Sequence, residues 1–261
     1  MLQFPNFNPY IFKLGPIHPT WYGLMYVIGF GCAYLLGVRR TKSNPAWTKD
    51  DVSDLMTYLM LGVVLGGRIG YVLFYGMGYW ARDWLYPLKI WEGGMSFHGG
   101  LLGVIFLLWL FGRKKGKAFW AVADYVAPMI PPGLFFGRIG NFINGELWGR
   151  PTDLPWGMVF PGTGDGIPRH PSQLYEAGLE GIVLFIAVWF YSAKPRRSGQ
   201  VAGLFLVLYG IFRSLVEMVR QPDGQVNFLI GEITMGQALS LPMIVFGLWL
   251  MLRRGPRASV S

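Results

Sequence analysis

One stretch of the chain carries charged side chains on what would be a single helical face. In "YGIFRSLVEMVRQPDG" (209–224), Arg213, Glu217 and Arg220 are spaced by four and seven positions, and Tyr209 comes one turn earlier. Residues with this spacing share one face of an α-helix. Arginine binds phosphate bidentately, and Glu217 could hold a neighbouring arginine in position. The pattern favours an anion site, with a structural charge network as the alternative.

A second polar stretch, "GRIGNFINGELWG" (137–149), directly follows an apolar run. Arg138 and Asn141 form an i, i+3 pair if the helix continues that far. The glycines would let backbone N–H groups approach a ligand, or would let helices pack closely. His98 in "FHGGLLG" precedes two glycines, and histidine suits proton transfer near neutral pH, although a lone histidine is more often structural. Together these residues predict a polar cavity for an anion such as a phospholipid head group.

The elements that must position these groups are apolar helices. The 261 residues are 52% hydrophobic and only 14% charged, well below the ~25% charged residues of soluble domains. Seven runs near the length needed to cross a bilayer predict an all-α polytopic membrane protein with seven transmembrane helices. The predicted spans are 21–38, 55–75, 96–112, 119–136, 173–191, 201–219 and 234–252.

Lysine and arginine are distributed unevenly between the two sides of these spans. Four follow the first span, four the third, three the fifth and three the seventh, whereas seven lie on the opposite side. The positive-inside rule therefore predicts an external N-terminus and a cytoplasmic C-terminus. The net charge of +9 reflects this topology, and no motif indicates nucleic-acid binding. We expect one integral-membrane domain over residues 1–261, with an interfacial N-terminal arm (1–20) and a small, irregular extracytoplasmic head (137–172).

Several charges and glycines lie within the apolar runs. Arg68 falls inside the second span, and Glu180 and Asp124 come near hydrocarbon depth. A charge at mid-membrane costs about 2.5–3.5 kcal/mol on insertion scales, so structural pairing, for example between Arg68 and Glu180, is one explanation. Glycines spaced by four in the second and third spans predict close helix packing.

Six long motifs, in order along nearly the whole chain, resemble those of bacterial prolipoprotein diacylglyceryl transferases. They are "WYGLMY" (21–26), "GGRIGYVLFY" (66–75), "GGMSFHGGLLG" (93–103), "GRIGNFINGELWGRP" (137–151), "RHPSQLYE" (169–176) and "FRSLVEMVRQPD" (212–223). The resemblance implies a seven-span enzyme of the bacterial inner membrane, with its active site toward the periplasmic leaflet. Such an enzyme transfers the diacylglyceryl group of phosphatidylglycerol to the lipobox cysteine of a prolipoprotein signal peptide. A thioether forms, glycerol 1-phosphate leaves, and neither a metal nor an organic cofactor is implied.

The resemblance also assigns site residues. Those at the family's essential positions are Tyr22, His98, Arg138, Asn141, Gly149 and Arg213. Those at supporting positions are Glu146, Tyr209, Glu217 and Arg220. In the resulting hypothesis Arg138 and Arg213 stabilise the departing phosphate, and His98 serves as base or proton relay. Asn141 and Tyr22 orient the lipid head group.

Two other classes of function remain open. A transporter or channel would also place charges and broken helices in the membrane, but here the polar groups crowd the outer half, with little to line a cytoplasmic path. A non-catalytic lipid-binding or assembly subunit is the third possibility. The single cysteine, Cys32, is predicted to be a packed residue, because the reacting thiol in the transferase hypothesis belongs to the substrate.

Overall fold

The computed structural model describes residues 2–5, 7–15, 18–221 and 234–253. Its α-helices are α1 Trp21–Thr41, α2 Lys49–Tyr75, α3 Met77–Trp80, α4 Phe97–Lys115, α5 Phe119–Val126, α6 Ile130–Ile143, α7 Ser172–Glu176, α8 Leu184–Tyr191, α9 Gln200–Glu217 and α10 Met235–Leu252. The strands are β1 Leu2–Gln3, β2 Met158–Val159 and β3 Pro168–Arg169. Single 3₁₀ turns cover Tyr86–Leu88, Ile90–Glu92, Ala127–Met129 and Pro161–Thr163, and a π-helix over Ala177–Val183 joins α7 to α8.

Within the described residues, six helices are long and apolar enough to cross a membrane. They are α1, α2, α4, the continuous stretch Ser172–Tyr191, α9 and α10. Each overlaps one of the seven predicted spans. The chain is therefore an all-helical membrane protein apart from its short strands.

The fourth predicted span, 119–136, is not a single α-helix. It consists of α5, the 3₁₀ turn Ala127–Met129 and then α6, which continues to Ile143. The prolines of "APMIPPG" (127–133) explain the change, because proline has no N–H for the i→i−4 ladder and is best tolerated in the first turn of a helix. Neither α5 nor α6 alone is long enough to cross a membrane.

The described residues fall into two compact units. One contains the residues up to Leu36 together with those from Asp124 onward, and the other contains Gly37–Ala123. Part of the N-terminal arm and the basic residues Arg254 and Arg257 lie outside the described residues.

In the unit Gly37–Ala123, α2 and α4 pack through their glycines. A Cβ atom built on Gly66 would lie 2.5 Å from the carbonyl oxygen of Gly99. One built on Gly70 would lie 2.6 Å from the Cα atom of Gly99. Any side chain at these positions would force the helices apart, so the prediction of close glycine packing is confirmed.

The buried Arg68 of the same unit donates its hydrogen bonds to backbone carbonyls. Its Nη2 lies 2.7 Å from the carbonyl oxygen of Tyr86 and its Nε 3.3 Å from that of Pro87, while Nη1 contacts the carbonyl of Gly93. The Tyr86 ring also lies 4.7 Å from the guanidinium carbon. The structural explanation for this charge holds, with carbonyl oxygens as partners in place of the suggested Glu180.

The N-terminal arm contributes a strand to the other unit. The three strands form one sheet in the order β1-β2-β3, with β1 parallel and β3 antiparallel to β2. Leu2 pairs with Met158, and the rings of Phe4 and Phe160 lie 5.1 Å apart. Residues 137–172 thus contain the strands β2 and β3 of this sheet.

The helices that carry the predicted site are held by a core in this same unit. Its buried residues are Ala127, Leu184, Val188 and Val201. α9 packs on α10 through Gly203 and Gly247, where a Cβ atom on either glycine would lie 2.7 Å from the carbonyl oxygen of the other. This packing fixes the position of α9 and of the charges near its end.

Candidate anion-binding site

The first part of the site lies on α6. The helix does continue past Arg138 and Asn141, so the predicted i, i+3 pair is confirmed, with Arg138 Nη1 3.4 Å from Asn141 Oδ1. The amide nitrogen of the buried Asn141 donates to Glu146 Oε1 at 2.8 Å. Both ends of the Asn141 amide are thus engaged, which fixes its orientation.

Tyr22, on α1, lies against the same part of α6. A Cβ atom on Gly140 would meet the Tyr22 ring at 2.8 Å, so only glycine allows this approach. The Tyr22 hydroxyl is 3.1 Å from that of Tyr26. Tyr22 is therefore beside Asn141, as the hypothesis of shared head-group contact requires.

The second part lies at the end of α9. Arg213 Nη2 is 2.6 Å from Glu217 Oε2, which confirms that Glu217 holds an arginine. Tyr209, one turn earlier, stacks on Phe205 with ring centroids 5.8 Å apart. Arg220 is not part of this helix, because α9 ends at Glu217 and Arg220 lies beyond the following turn.

A carboxylate that was not singled out from the sequence joins these two parts. Glu176 Oε2 lies 2.6 Å from Arg138 Nη2 and 3.2 Å from Arg213 Nη1. The Glu176 side chain is 0% exposed, whereas those of Arg138 and Arg213 are 20% and 15% exposed. The two arginines come from distant motifs, and the structure brings them together on one buried oxygen.

The only sequence signal for Glu176 was its place at the end of "RHPSQLYE". That motif also anchors the loop after α6. Ser172 Oγ donates to the carbonyl oxygen of Leu147 at 2.9 Å, and Gln173 Nε2 donates to that of Glu146 at 2.5 Å. Leu147 has a positive φ of 60°, a strained conformation that these neighbouring contacts help to hold.

Gly149 is required by close packing of three segments. Its N–H donates to the carbonyl oxygen of His170 at 2.8 Å, and it forms an isolated β-bridge with Arg220. A Cβ atom here would lie 2.6 Å from the carbonyl oxygen of Val219 and 2.7 Å from the His170 Cβ. Gly149 thus ties the loop to the chain that leaves α9.

Two ionisable groups of the predicted head have shifted pKa values. The pKa of Asp165 falls to about 2, because its carboxylate accepts hydrogen bonds from the Ile167 N–H and from Arg169 Nη2. Burial lowers the pKa of His170, whose Nδ1 lies 3.2 Å from the Tyr175 hydroxyl. Burial therefore disfavours the charged form of His170.

His98 belongs to the other unit, in the first turn of α4. Its ring is exposed and lies 5.6 Å from that of Phe97, and the side chain of Ser96 caps the helix. Its part in the chemistry stays a prediction. In the described part of the chain, no three His, Cys, Asp or Glu side chains come together in a way that could hold a metal ion.

The apolar helices and the paired arginines indicate a membrane protein with a candidate anion-binding site. Arginine side chains that are partly exposed and held by buried carboxylates are suited to bind phosphate and to stabilise charge that develops on it.

Comparison with known proteins places the chain among membrane transferases. It belongs to the prolipoprotein diacylglyceryl transferase family, whose model matches residues 9–253. It is 58% identical to the phosphatidylglycerol–prolipoprotein diacylglyceryl transferase of Solidesulfovibrio magneticus, with 100% of both chains covered. It is 57% identical to that of Legionella pneumophila strain Lens, over 96% of this chain and 98% of the relative. It is 56% identical to that of Nitratidesulfovibrio vulgaris strain DP4, over 99% of both.

Proposed function

We propose that this protein transfers the diacylglyceryl group of phosphatidylglycerol to the lipobox cysteine thiol of prolipoproteins, the first step of lipoprotein maturation. The observation that carries the proposal is that Arg138 and Arg213 both contact Glu176, while part of each arginine side chain stays exposed. Family membership supports the same conclusion, as do full-length relatives whose names specify both substrates.

The chemistry is a displacement at a glyceryl carbon. The substrate thiolate attacks the carbon that carries the phosphate ester, a C–S bond forms and the C–O bond breaks. The electron pair goes to the phosphate oxygen, and glycerol 1-phosphate leaves. Arg138 and Arg213 stabilise the growing negative charge, which two fixed cations do most effectively in a low-dielectric site.

The thiol must lose its proton before or during attack, because a free cysteine has a pKa of about 8.5. We assign His98 as base or proton relay, from its side-chain chemistry and from the family motif. Asn141 and Tyr22 orient the head group, supported by their adjacent positions along α6 and α1. Glu146 holds the Asn141 amide, and Glu217 holds Arg213.

We further propose seven spans in the bacterial inner membrane. The stretch Phe119–Ile143, fourth along the chain, adds one span to the six long helices. At 1.5 Å per residue it would extend roughly 37 Å, enough to cross despite its 3₁₀ turn. The basic last turns of α1 and α4 support a cytoplasmic side at those ends. The N-terminus and the active site are then periplasmic, and the C-terminus is cytoplasmic.

A reconstituted assay tests the function directly. The purified protein is placed in nanodiscs that contain phosphatidylglycerol and is mixed with a lipobox peptide. The mass of the peptide is then measured by mass spectrometry. We expect a mass increase of one diacylglyceryl group, and none for a matched peptide with serine in place of the cysteine. Phosphatidylglycerol binding without product would support the lipid-binding subunit instead. Anion flux through proteoliposomes without product would support the transporter.

The His98→Gln variant tests the proposed base. Glutamine keeps hydrogen-bonding capacity but cannot accept the thiol proton, so we expect transfer to be abolished or greatly slowed throughout pH 6–9, a range around the ~6.5 reference pKa of histidine. The His170→Gln variant is the matched control, since His170 lies in the head and is not assigned to proton transfer. Persistent activity with an unchanged pH profile in His98→Gln would leave His98 with a structural role only.

A further inference from the structure

Glu176 makes contacts that the proposed chemistry does not yet use. A single oxygen atom, Oε2, is within ion-pair distance of both Arg138 and Arg213. Two guanidinium groups that contact the same atom repel each other unless an anion lies between them. Glu176 supplies that anion from within the protein.

Burial distinguishes the carboxylate from the cations that it contacts. The Glu176 side chain is 0% exposed, so its oxygen reaches the arginines from the protein side. Both arginine side chains keep part of their surface exposed. A phosphate on the exposed side would therefore not have to displace the carboxylate.

Each arginine also contacts a second side chain, which belongs to its own helix. Arg138 Nη1 contacts Asn141, and Arg213 Nη2 contacts Glu217. Each guanidinium has five N–H donors, so several remain after these contacts. With one nitrogen on Glu176 and another on a neighbour of the same helix, each guanidinium plane has a fixed orientation.

We propose that Glu176 is a positioning residue, which holds Arg138 and Arg213 side by side from within the protein so that their remaining N–H groups bind one phosphate. This inference rests on the proposed transferase function. Negative charge on the phosphate grows during the reaction, so misplaced arginines weaken the stabilisation of the transition state more than the binding of the substrate. The effect of removing Glu176 should therefore appear mainly in kcat.

The Glu176→Gln variant removes the charge and keeps the shape. We expect kcat for thioether formation to fall at least tenfold, while KM for phosphatidylglycerol changes less than threefold. The melting temperature in detergent and the elution profile should stay close to those of the unaltered protein. An unchanged kcat, or a loss that only follows the loss of folded protein, would overturn the inference.

Glu180 provides the matched control, because it lies four residues later and is equally buried. Among the described residues neither of its carboxyl oxygens has a hydrogen-bond partner, so Glu180 acts on Arg138 and Arg213 only through longer-range charge attraction. The Glu180→Gln variant should therefore keep kcat within threefold of the unaltered protein. If Glu180→Gln loses as much activity as Glu176→Gln, removal of any buried acidic side chain in this region lowers activity, and the positioning role of Glu176 is wrong.

Should Glu176→Gln fail to fold, Glu176→Asp takes its place. Aspartate keeps the charge but is one methylene shorter, so its oxygen no longer reaches both arginines together. We expect at least a threefold loss of kcat at unchanged KM. A folded Glu176→Asp variant with full kcat would overturn the inference.

A spectroscopic measurement separates this inference from the transferase proposal. In nanodiscs with ¹⁵N-labelled arginine, the side-chain N–H resonances of Arg138 and Arg213, assigned from the two Arg→Lys variants, should be slow to exchange. Glu176→Gln should broaden or shift both, and Glu180→Gln neither. Unchanged resonances in Glu176→Gln would refute the positioning role even if thioether forms. If the unaltered protein forms no thioether, but Glu176→Gln changes both resonances and Glu180→Gln changes neither, only the transferase proposal fails.

Discussion

Two acidic side chains of the same unit, Asp124 and Glu176, are stabilised in different ways. Asp124 accepts hydrogen bonds from the backbone N–H groups of Gly199 and Ala202, at 2.7 and 2.8 Å. These groups belong to the start of α9, where N–H groups lack helical partners and an anion is favourable. Each Asp124 oxygen thus has an immobile backbone donor, and the carboxylate fastens one helix to another.

Glu176, in contrast, contacts side chains that a ligand could also use. Both arginines share its Oε2, and its Oε1 has no hydrogen-bond partner among the described residues. The difference indicates that Asp124 stabilises the fold, whereas the region around Glu176 is arranged for binding.

The largest effect should come from the arginines themselves. Arg138→Lys and Arg213→Lys keep the charge but lose the planar fork that binds phosphate through two N–H groups. We expect kcat/KM to fall by about 100-fold in each, as for loss of a donor to developing charge, measured by the mass-shift assay. Arg169→Lys is the control, since Arg169 pairs with Asp165 instead. Near-normal rates in both site variants would mean that the arginines do not clamp a phosphate.

The second effect tests the structural side of the comparison. In Asp124→Asn, an NH₂ group faces a backbone N–H that needs an acceptor. One backbone donor is left unsatisfied, which costs about 1–3 kcal/mol of folding free energy. We expect the melting temperature to fall by several degrees, measured by intrinsic fluorescence, with kcat per folded protein unchanged. Asp153→Asn, at an exposed loop position, is the control for loss of an acidic charge. A large kcat loss in Asp124→Asn without loss of stability would contradict the division between the two acids.

Gly149→Ala should give an intermediate result, because Gly149 serves both the fold and the site. The added methyl group would push against the Val219 carbonyl and His170 and would shift the chain around Arg220. We expect roughly a tenfold loss of kcat/KM together with a lower melting temperature, comparable to about 1–3 kcal/mol of overpacking. Gly133→Ala is the control, since its methyl group would meet nothing within 4 Å. Equal behaviour of the two variants would show that close packing at Gly149 is unimportant.

The smallest effect concerns an exposed pair in the predicted head. Because the pKa of Asp165 is lowered to about 2, its ionised form stabilises the fold above the unfolded pKa of ~3.9. That contribution is lost as pH falls toward 2. In Asp165→Asn the melting temperature should depend less on pH between about 4 and about 2, with kcat at pH 7 unaltered. Identical pH dependence in both proteins would show that this carboxylate does not contribute.

The sequence by itself determined the features that depend on local spacing and composition. Apolar runs located six helices that the structure bears out, and glycines spaced by four predicted the packing of α2 on α4. The i, i+3 and i, i+4 rules anticipated the Arg138–Asn141 and Arg213–Glu217 contacts. These succeed because helical periodicity is a property of neighbours along the chain.

Only the tertiary structure decided which distant groups meet. Glu176 reaches both arginines because α6, α7 and α9 pack together, and no spacing rule connects residues 138, 176 and 213. The end of α9 at Glu217, before Arg220, depends on the turn that follows the helix. The need for glycine at position 149 follows only from the positions of Val219 and His170 beside it. Such outcomes follow from close packing in three dimensions, where one oxygen or one missing Cβ atom decides which segments can touch.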